Sequence, residues 1–224
     1  MKNFRIFISA TLAGIIFSIG SLAYLRCAGT SHFYAALVLA GALLAVTAFK
    51  FELFSDRAGY IFYSEKDYDK KLAKSLITVI GNIFGTALTA AALLGSTLST
   101  IAEQSASLRF SESHLSAFAG AILCGILMFV ATHGFKRLGG GVPGCFILIF
   151  ASLGLLLLGA KHALIDIFYL VISLKFNINA LMHILIVILG NFAGAIVFAE
   201  LYSMQKDDEE HHYHKKHRSN SESK

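Results

Sequence analysis

Charge is what this sequence has least of. Only 15% of its 224 residues are Asp, Glu, Lys or Arg, where soluble domains carry about 25%. Hydrophobic residues make up 56%, and the mean hydropathy is +0.67. The few charges crowd into short stretches and leave long apolar runs between them, which excludes an ordinary soluble domain and calls for an integral membrane protein. The net charge of +5 comes mostly from segments flanking those runs and gives no indication of nucleic acid. Proline occurs once, at Pro143, which argues against a loop-rich or disordered architecture. The three cysteines, Cys27, Cys124 and Cys145, show neither a disulfide framework nor metal-ligand spacing, and read as small core hydrophobes. Gly-x-Ser-x-Gly and His-Glu-x-x-His motifs are missing, so the chain is not expected to be an enzyme or to need a cofactor or metal. The Asn-Pro-Ala phrases of water channels are missing as well.

What is present is apolar length. Six stretches stand out, at about 6–25, 33–49, 72–98, 115–133, 142–174 and 180–203. A spanning helix needs ~20 such residues. The first run follows Lys2 and Arg5 without a small-residue cleavage site before Arg26, and is expected to stay as a span rather than leave as a signal peptide. The second run is followed by charge at Glu52 and continues as 58–63; the fifth is interrupted by Lys161, His162 and Asp166. Both read as broken helices, which survive at membrane depth only where protein or a wet cavity satisfies the backbone.

A short phrase occurs twice. Gly81-Asn82-Ile83-Phe84-Gly85 lies in the third run and Gly190-Asn191-Phe192-Ala193-Gly194 in the sixth. Glu52 precedes Gly81 by 29 residues, and Lys161 precedes Gly190 by the same 29. Matching breaks at matching distances imply a duplicated chain. The glycines allow close helix packing. Asn82 and Asn191 carry amides that must find partners in hydrocarbon, and are expected to steady the broken segments, with Glu52 as structural support.

Lys and Arg placement gives orientation. Lys2, Arg5, Arg57, Lys66, Lys70, Lys71, Lys74, Lys136, Arg137 and the tail fall on one side; Arg26, Arg109 and Lys175 fall on the other. Both termini are thus expected in the cytoplasm, with three spans per half running in opposite senses. The fold expected is an all-α membrane protein of six helices in an inverted 3+3 repeat, aquaporin-like, with the second and fifth spans broken. The channel domain takes residues 1–204; 205–224 reads as a charged, His-rich, disordered cytoplasmic tail. Its histidines, His211, His212, His214 and His217, show no rigid metal spacing.

His162 is the leading functional candidate, since an ionisable group inside an apolar run marks a pathway by default and imidazole can donate, accept or carry a proton. The bland alternative is a core histidine that pins two helices. Lys161 and Asp166 flank it at positions that a continuous helix would hold about 140° apart, so they would pair only if the helix breaks. Arg109 reads either as an ordinary flanking residue or as part of an anion-attracting outer vestibule.

These pieces together resemble the formate/nitrite transporter family. Glu52-Leu53-Phe54-Ser55 is similar to that family's acidic-Leu-Phe-Thr stretch, the two Gly-Asn phrases to its own pair, and His162 to its central pore histidine. Ile122-Leu123-Cys124-Gly125 resembles its Cys-Asn region, with Gly125 in place of Asn. The likeness covers roughly residues 4–203. It implies a homopentamer in the cell membrane with one pore per subunit. It further implies that Leu53, Phe54 and Ser55 project into the pore, that Leu39, Leu43, Met128 and Leu155 line two hydrophobic constrictions, that His162 bonds substrate between them, and that Arg109 stands on the outer approach. Lys161 and Asp166 occupy places where the family usually has Glu and Asn, and Ser55 one where it has Thr. The function implied is passage of small monovalent weak-acid anions such as formate, nitrite or hydrosulfide, with protons as possible companions. A neutral-solute channel, or a scaffold that kept the fold but lost transport, stands as the alternative.

Overall fold

The computed structural model of the protein describes the backbone of residues 1–28, 31–62 and 67–222, with side chains as far as Gln205 apart from Ala28. Tyr63 and Lys66, which the sequence reading used, and the tail histidine side chains lie outside the described residues. Among the described residues, four helices are long and apolar enough to cross a membrane: α1 (Lys2–Ala28), α4 (Tyr68–Ala91), α6 (His114–Arg137) and the first part of α9 (Ile178–Glu222). Between them lie α2 (His32–Ala48), α3 (Phe54–Ala58), α5 (Thr97–Phe110), α7 (Val142–Leu157) and α8 (Ala163–Ser173). The second apolar run thus becomes α2 and α3, and the fifth becomes α7 and α8. The third stops at Ala91, and Gly95 (φ 76°) turns the chain into α5, which the sequence reading did not anticipate. α9 does not stop at the boundary drawn at 204; helix continues to Glu222 where disorder was expected, through a charged segment that contains no Gly or Pro to end it.

Apolar residues run round most of these helices because the face turned outward can meet lipid as the inner face meets protein. The ends are set locally. Ser113 caps α6 by accepting the Ser116 N–H at 3.3 Å. Pro143 sits in the first turn of α7, where its missing N–H costs no bond.

The packing pairs first helix with last in each half: α1 lies along α4, and α6 along α9. Glycine makes both approaches possible. A Cβ on Gly81 or Gly85 would collide with Ala10 or the Thr11 carbonyl of α1; one on Gly190 or Gly194 would collide with Ala121 or the Ile122 carbonyl of α6. Gly14 and Gly125 answer from the opposite helices, each against the carbonyl of an asparagine, Asn82 or Asn191. α2 packs on α7 across the halves, α8 on α4 and α5, and α3 on α6 and α9.

Candidate functional site

Each break opens with the same helix stop. After α2, the Lys50 N–H bonds Thr47 O at 3.1 Å and the Phe51 N–H bonds Val46 O at 2.9 Å; after α7, Gly159 bonds Leu156 at 3.1 Å and Ala160 bonds Leu155 at 2.9 Å. These are Schellman closures, whose pivot residue must be left-handed. Gly159 takes φ 67° freely, but Lys50 takes φ 58° against its own Cβ.

The chain then re-enters the protein under an asparagine clamp. Asn82 accepts from the Phe54 N–H through Oδ1 and donates through Nδ2 to Glu52 O and Ala10 O, all at 2.8 Å. Asn191 does the same 109 residues later, with Ala163 N–H at 3.1 Å, Lys161 O at 2.7 Å and Ala121 O at 3.0 Å. Both asparagines are fully buried. Each clamp leaves one residue at its centre, Leu53 in the first break and His162 in the second, and each is the N-cap of the short helix that follows.

His162 is fully buried. Its Nδ1 accepts the Leu164 N–H at 3.2 Å, capping α8. A neutral ring held this way carries its proton on Nε2, which lies 3.5 Å from Ser55 Oγ. Phe17 of α1 stacks on the ring at 4.5 Å and Phe54 leans on it at 5.8 Å. The N-terminus of α8 adds a partial positive charge at the same place. The site thus offers one N–H donor, a hydroxyl and a favourable dipole between aromatic walls.

Apolar side chains bound it. Leu39, Leu43, Met128 and Leu155 all line one cavity, with Phe17, Ser152 and Leu156, and its volume is only about 10 Å³. That is room for about one water. The four residues expected at two constrictions thus share the lining of this one cavity. A larger cavity of about 470 Å³ opens at the first break, with Leu53 in its wall and Lys50, Glu52, Asp56, Arg57 and Lys136 among the polar residues around it.

Every charge expected at the site has a partner. Glu52 pairs with Arg57 and, at 3.1 Å, with Lys74; Asp56 pairs with Lys136 at 2.6 Å. In the second break Lys161 reaches Glu112 at 2.6 Å. Asp166, fully buried, accepts from Arg109, and His183 Nε2 approaches its other oxygen at 3.3 Å. The Arg109 guanidinium also lies 5.6 Å over the Tyr169 ring. Arg109 is thus paired with Asp166, and Lys161 and Asp166 do not pair with each other even though the helix breaks beside them.

Four contributors were missed from sequence: Phe17, Ser152, Glu112 and His183. Phe17 and Ser152 sit in apolar runs with nothing to mark them. His183 did carry a signal, an ionisable residue inside the sixth apolar run.

A bundle of long apolar helices enclosing two re-entrant breaks around a buried histidine defines a multi-pass membrane protein. The sequence profile of the formate/nitrite transporter family matches residues 1–206, and the chain belongs to that family. No curated protein matches it. Solved structures share the fold, two of them as follows. One, named "FNT family ion channel", is 17% identical, with 91% of this chain and 90% of that chain covered and a TM-score of 0.82. The other, "Pentameric formate channel with formate bound", is 16% identical, with 91% and 97% covered and a TM-score of 0.76.

Proposed function

We propose that the protein passes a small monovalent weak-acid anion, of the formate, nitrite or hydrosulfide kind, through each subunit of a homopentamer. The observation that carries this reading is His162: one N–H donor, fully buried and aimed at Ser55 between aromatic and apolar walls. Family membership and the similar pentameric formate channel support it. So does the duplicated clamp, which fits six spans in an inverted 3+3 repeat with both termini in the cytoplasm.

Solvation sets the mechanism. An isolated carboxylate would lose tens of kcal/mol in the Born limit on entering a dry slit. Two things reduce that loss. The dipole of α8 and the Nε2–H of His162 stabilise negative charge where the anion is stripped of water. A proton that travels with the anion turns it into a neutral acid for the apolar part. Leu53 and Phe54 form one gate; Phe17, Leu39, Leu43, Met128 and Leu155 form the other. Lys161, Asp166 and Arg109 hold the second break in shape through their ion pairs, and the chain acts as a passage rather than an enzyme.

Flux of formate, nitrite and hydrosulfide into proteoliposomes tests this, with wild type beside His162→Ala and Ser55→Ala. Loss of the His162 donor is expected to lower flux at least about tenfold, the equivalent of one charge-assisted hydrogen bond. Flux that survives unchanged in His162→Ala removes the histidine from the mechanism. No flux of any small anion in the wild type, with a folded pentamer, would favour the scaffold reading.

A further inference from the structure

Where α6, α7 and α9 meet, the protein holds a recess of about 370 Å³ that has no part in the proposed passage. Its walls are apolar, formed by Phe129, Val130, Ile147 and Phe198; its polar end carries Arg137 and Tyr202. Arg137 is the last residue of α6, and its guanidinium lies 5.4 Å over the Tyr202 ring. Among the described residues no carboxylate pairs with it, whereas Lys136, one residue before, is paired with Asp56. The Tyr202 hydroxyl is buried and has no hydrogen-bond partner. His133 beside them is held by the Tyr60 hydroxyl at 2.8 Å and stacked on Phe129 at 4.8 Å, and Gln205 also lines this end.

A cation without an acid and a buried hydroxyl without an acceptor ask for anionic oxygen. The apolar walls below ask for hydrocarbon. The position agrees with both demands. Arg137 and Tyr202 sit at the ends of the apolar stretches of α6 and α9, the depth at which Arg and Tyr meet lipid headgroups. We propose that this recess binds an anionic phospholipid: the phosphate sits on Arg137 and the Tyr202 hydroxyl, and an acyl chain lies along Phe129, Ile147 and Phe198. Basic pockets between spanning helices are known to take such headgroups. The lipid would brace the end of α6 against α9, next to the Lys136–Asp56 pair at the inner cavity.

The chain contains no tryptophan, so Phe198→Trp supplies a single reporter inside the recess. The full-length variant, in mixed micelles, is titrated with brominated phosphatidylglycerol and, separately, with brominated phosphatidylcholine. Phosphatidylglycerol is expected to quench at about fivefold lower mole fraction, as one basic contact provides. Adding Arg137→Gln is expected to abolish the preference, and Tyr202→Phe to weaken it; an unchanged elution volume confirms that each variant is folded. Equal quenching by the two lipids overturns the proposal, as does a preference that survives Arg137→Gln. Relief of quenching by free inorganic phosphate would assign the site to a soluble anion instead. Absence of quenching by either lipid, with Ile147→Cys cross-linking subunits, would mean that a second copy of the chain covers the recess.

Discussion

The two breaks are the same device carrying different charge. Both leave a helix through a Schellman closure, both are held by three hydrogen bonds from a buried asparagine, and both place one residue at the N-cap of a short helix. At the charged positions the signs are exchanged: Glu52 and Arg57 in the first break stand where Lys161 and Asp166 stand in the second. The first pair closes on itself. The second pair opens outward, Lys161 to Glu112 and Asp166 to Arg109. The difference comes from α5, whose C-terminal end and the turn after it supply Arg109 and Glu112. Backbone bonding is duplicated because every buried peptide group has to be satisfied in either half. Charge is free to diverge once a neighbouring element offers other partners.

The largest effects test the shared part. Asn82→Leu and Asn191→Leu keep shape but each orphans two backbone groups of its break, at about 1–3 kcal/mol per group, while the Ala10 or Ala121 carbonyl keeps its intrahelical bond. Both are expected to lose most folded protein, to the same degree, as monitored by size exclusion from detergent. A mild result for one alone would break the equivalence. Asp166→Asn comes next: it leaves Arg109 uncompensated in a buried setting, a loss of about 3–5 kcal/mol. The matching change Glu52→Gln, among partners about a third exposed, is expected to cost about 1 kcal/mol or less. Thermal melts that rank these two the other way would overturn the contrast drawn between the charges. Gly85→Ala and Gly194→Ala should each cost about 1–3 kcal/mol by overpacking, again alike. The smallest effect concerns the pivots. Lys50→Gly is expected to stabilise by about 1 kcal/mol and Gly159→Lys to destabilise by about as much, since only glycine takes the left-handed conformation without strain.

Much of this was legible because hydrogen-bond satisfaction in an apolar setting leaves marks at fixed spacing. An asparagine between small residues, repeated at the same distance from a charged interruption, pointed to the clamps at Asn82 and Asn191 and to the breaks at Glu52 and at Lys161-His162. His162 was visible for the same reason. The partners of its neighbours were not. Glu112 and Arg109 reach Lys161 and Asp166 across about fifty residues of sequence, and no periodicity encodes a tertiary ion pair. α5 was hidden by its mixed composition, Thr97-Leu98-Ser99-Thr100 followed by small and polar residues with charge only at Glu103 and Arg109, which carries neither an apolar run nor a clean amphipathic pattern. Phe17 stacks on His162, yet in sequence it is one apolar residue among many.

The glycine contacts between α1 and α4, and between α6 and α9, have a mechanical consequence. Helices whose backbones touch behave as one stiff beam, and each beam is riveted to a break by its asparagine. Prising α1 from α4 would strip Asn82 of a bond to Ala10 and uncover the Gly14 and Gly85 contacts at once. Widening the passage by spreading helices is therefore the expensive route. In the passage proposed above, the cheaper route would be rotation of a few side chains, Phe17, Leu53 and Phe54, on a frame that stays still: a valve with moving leaves in a fixed seat.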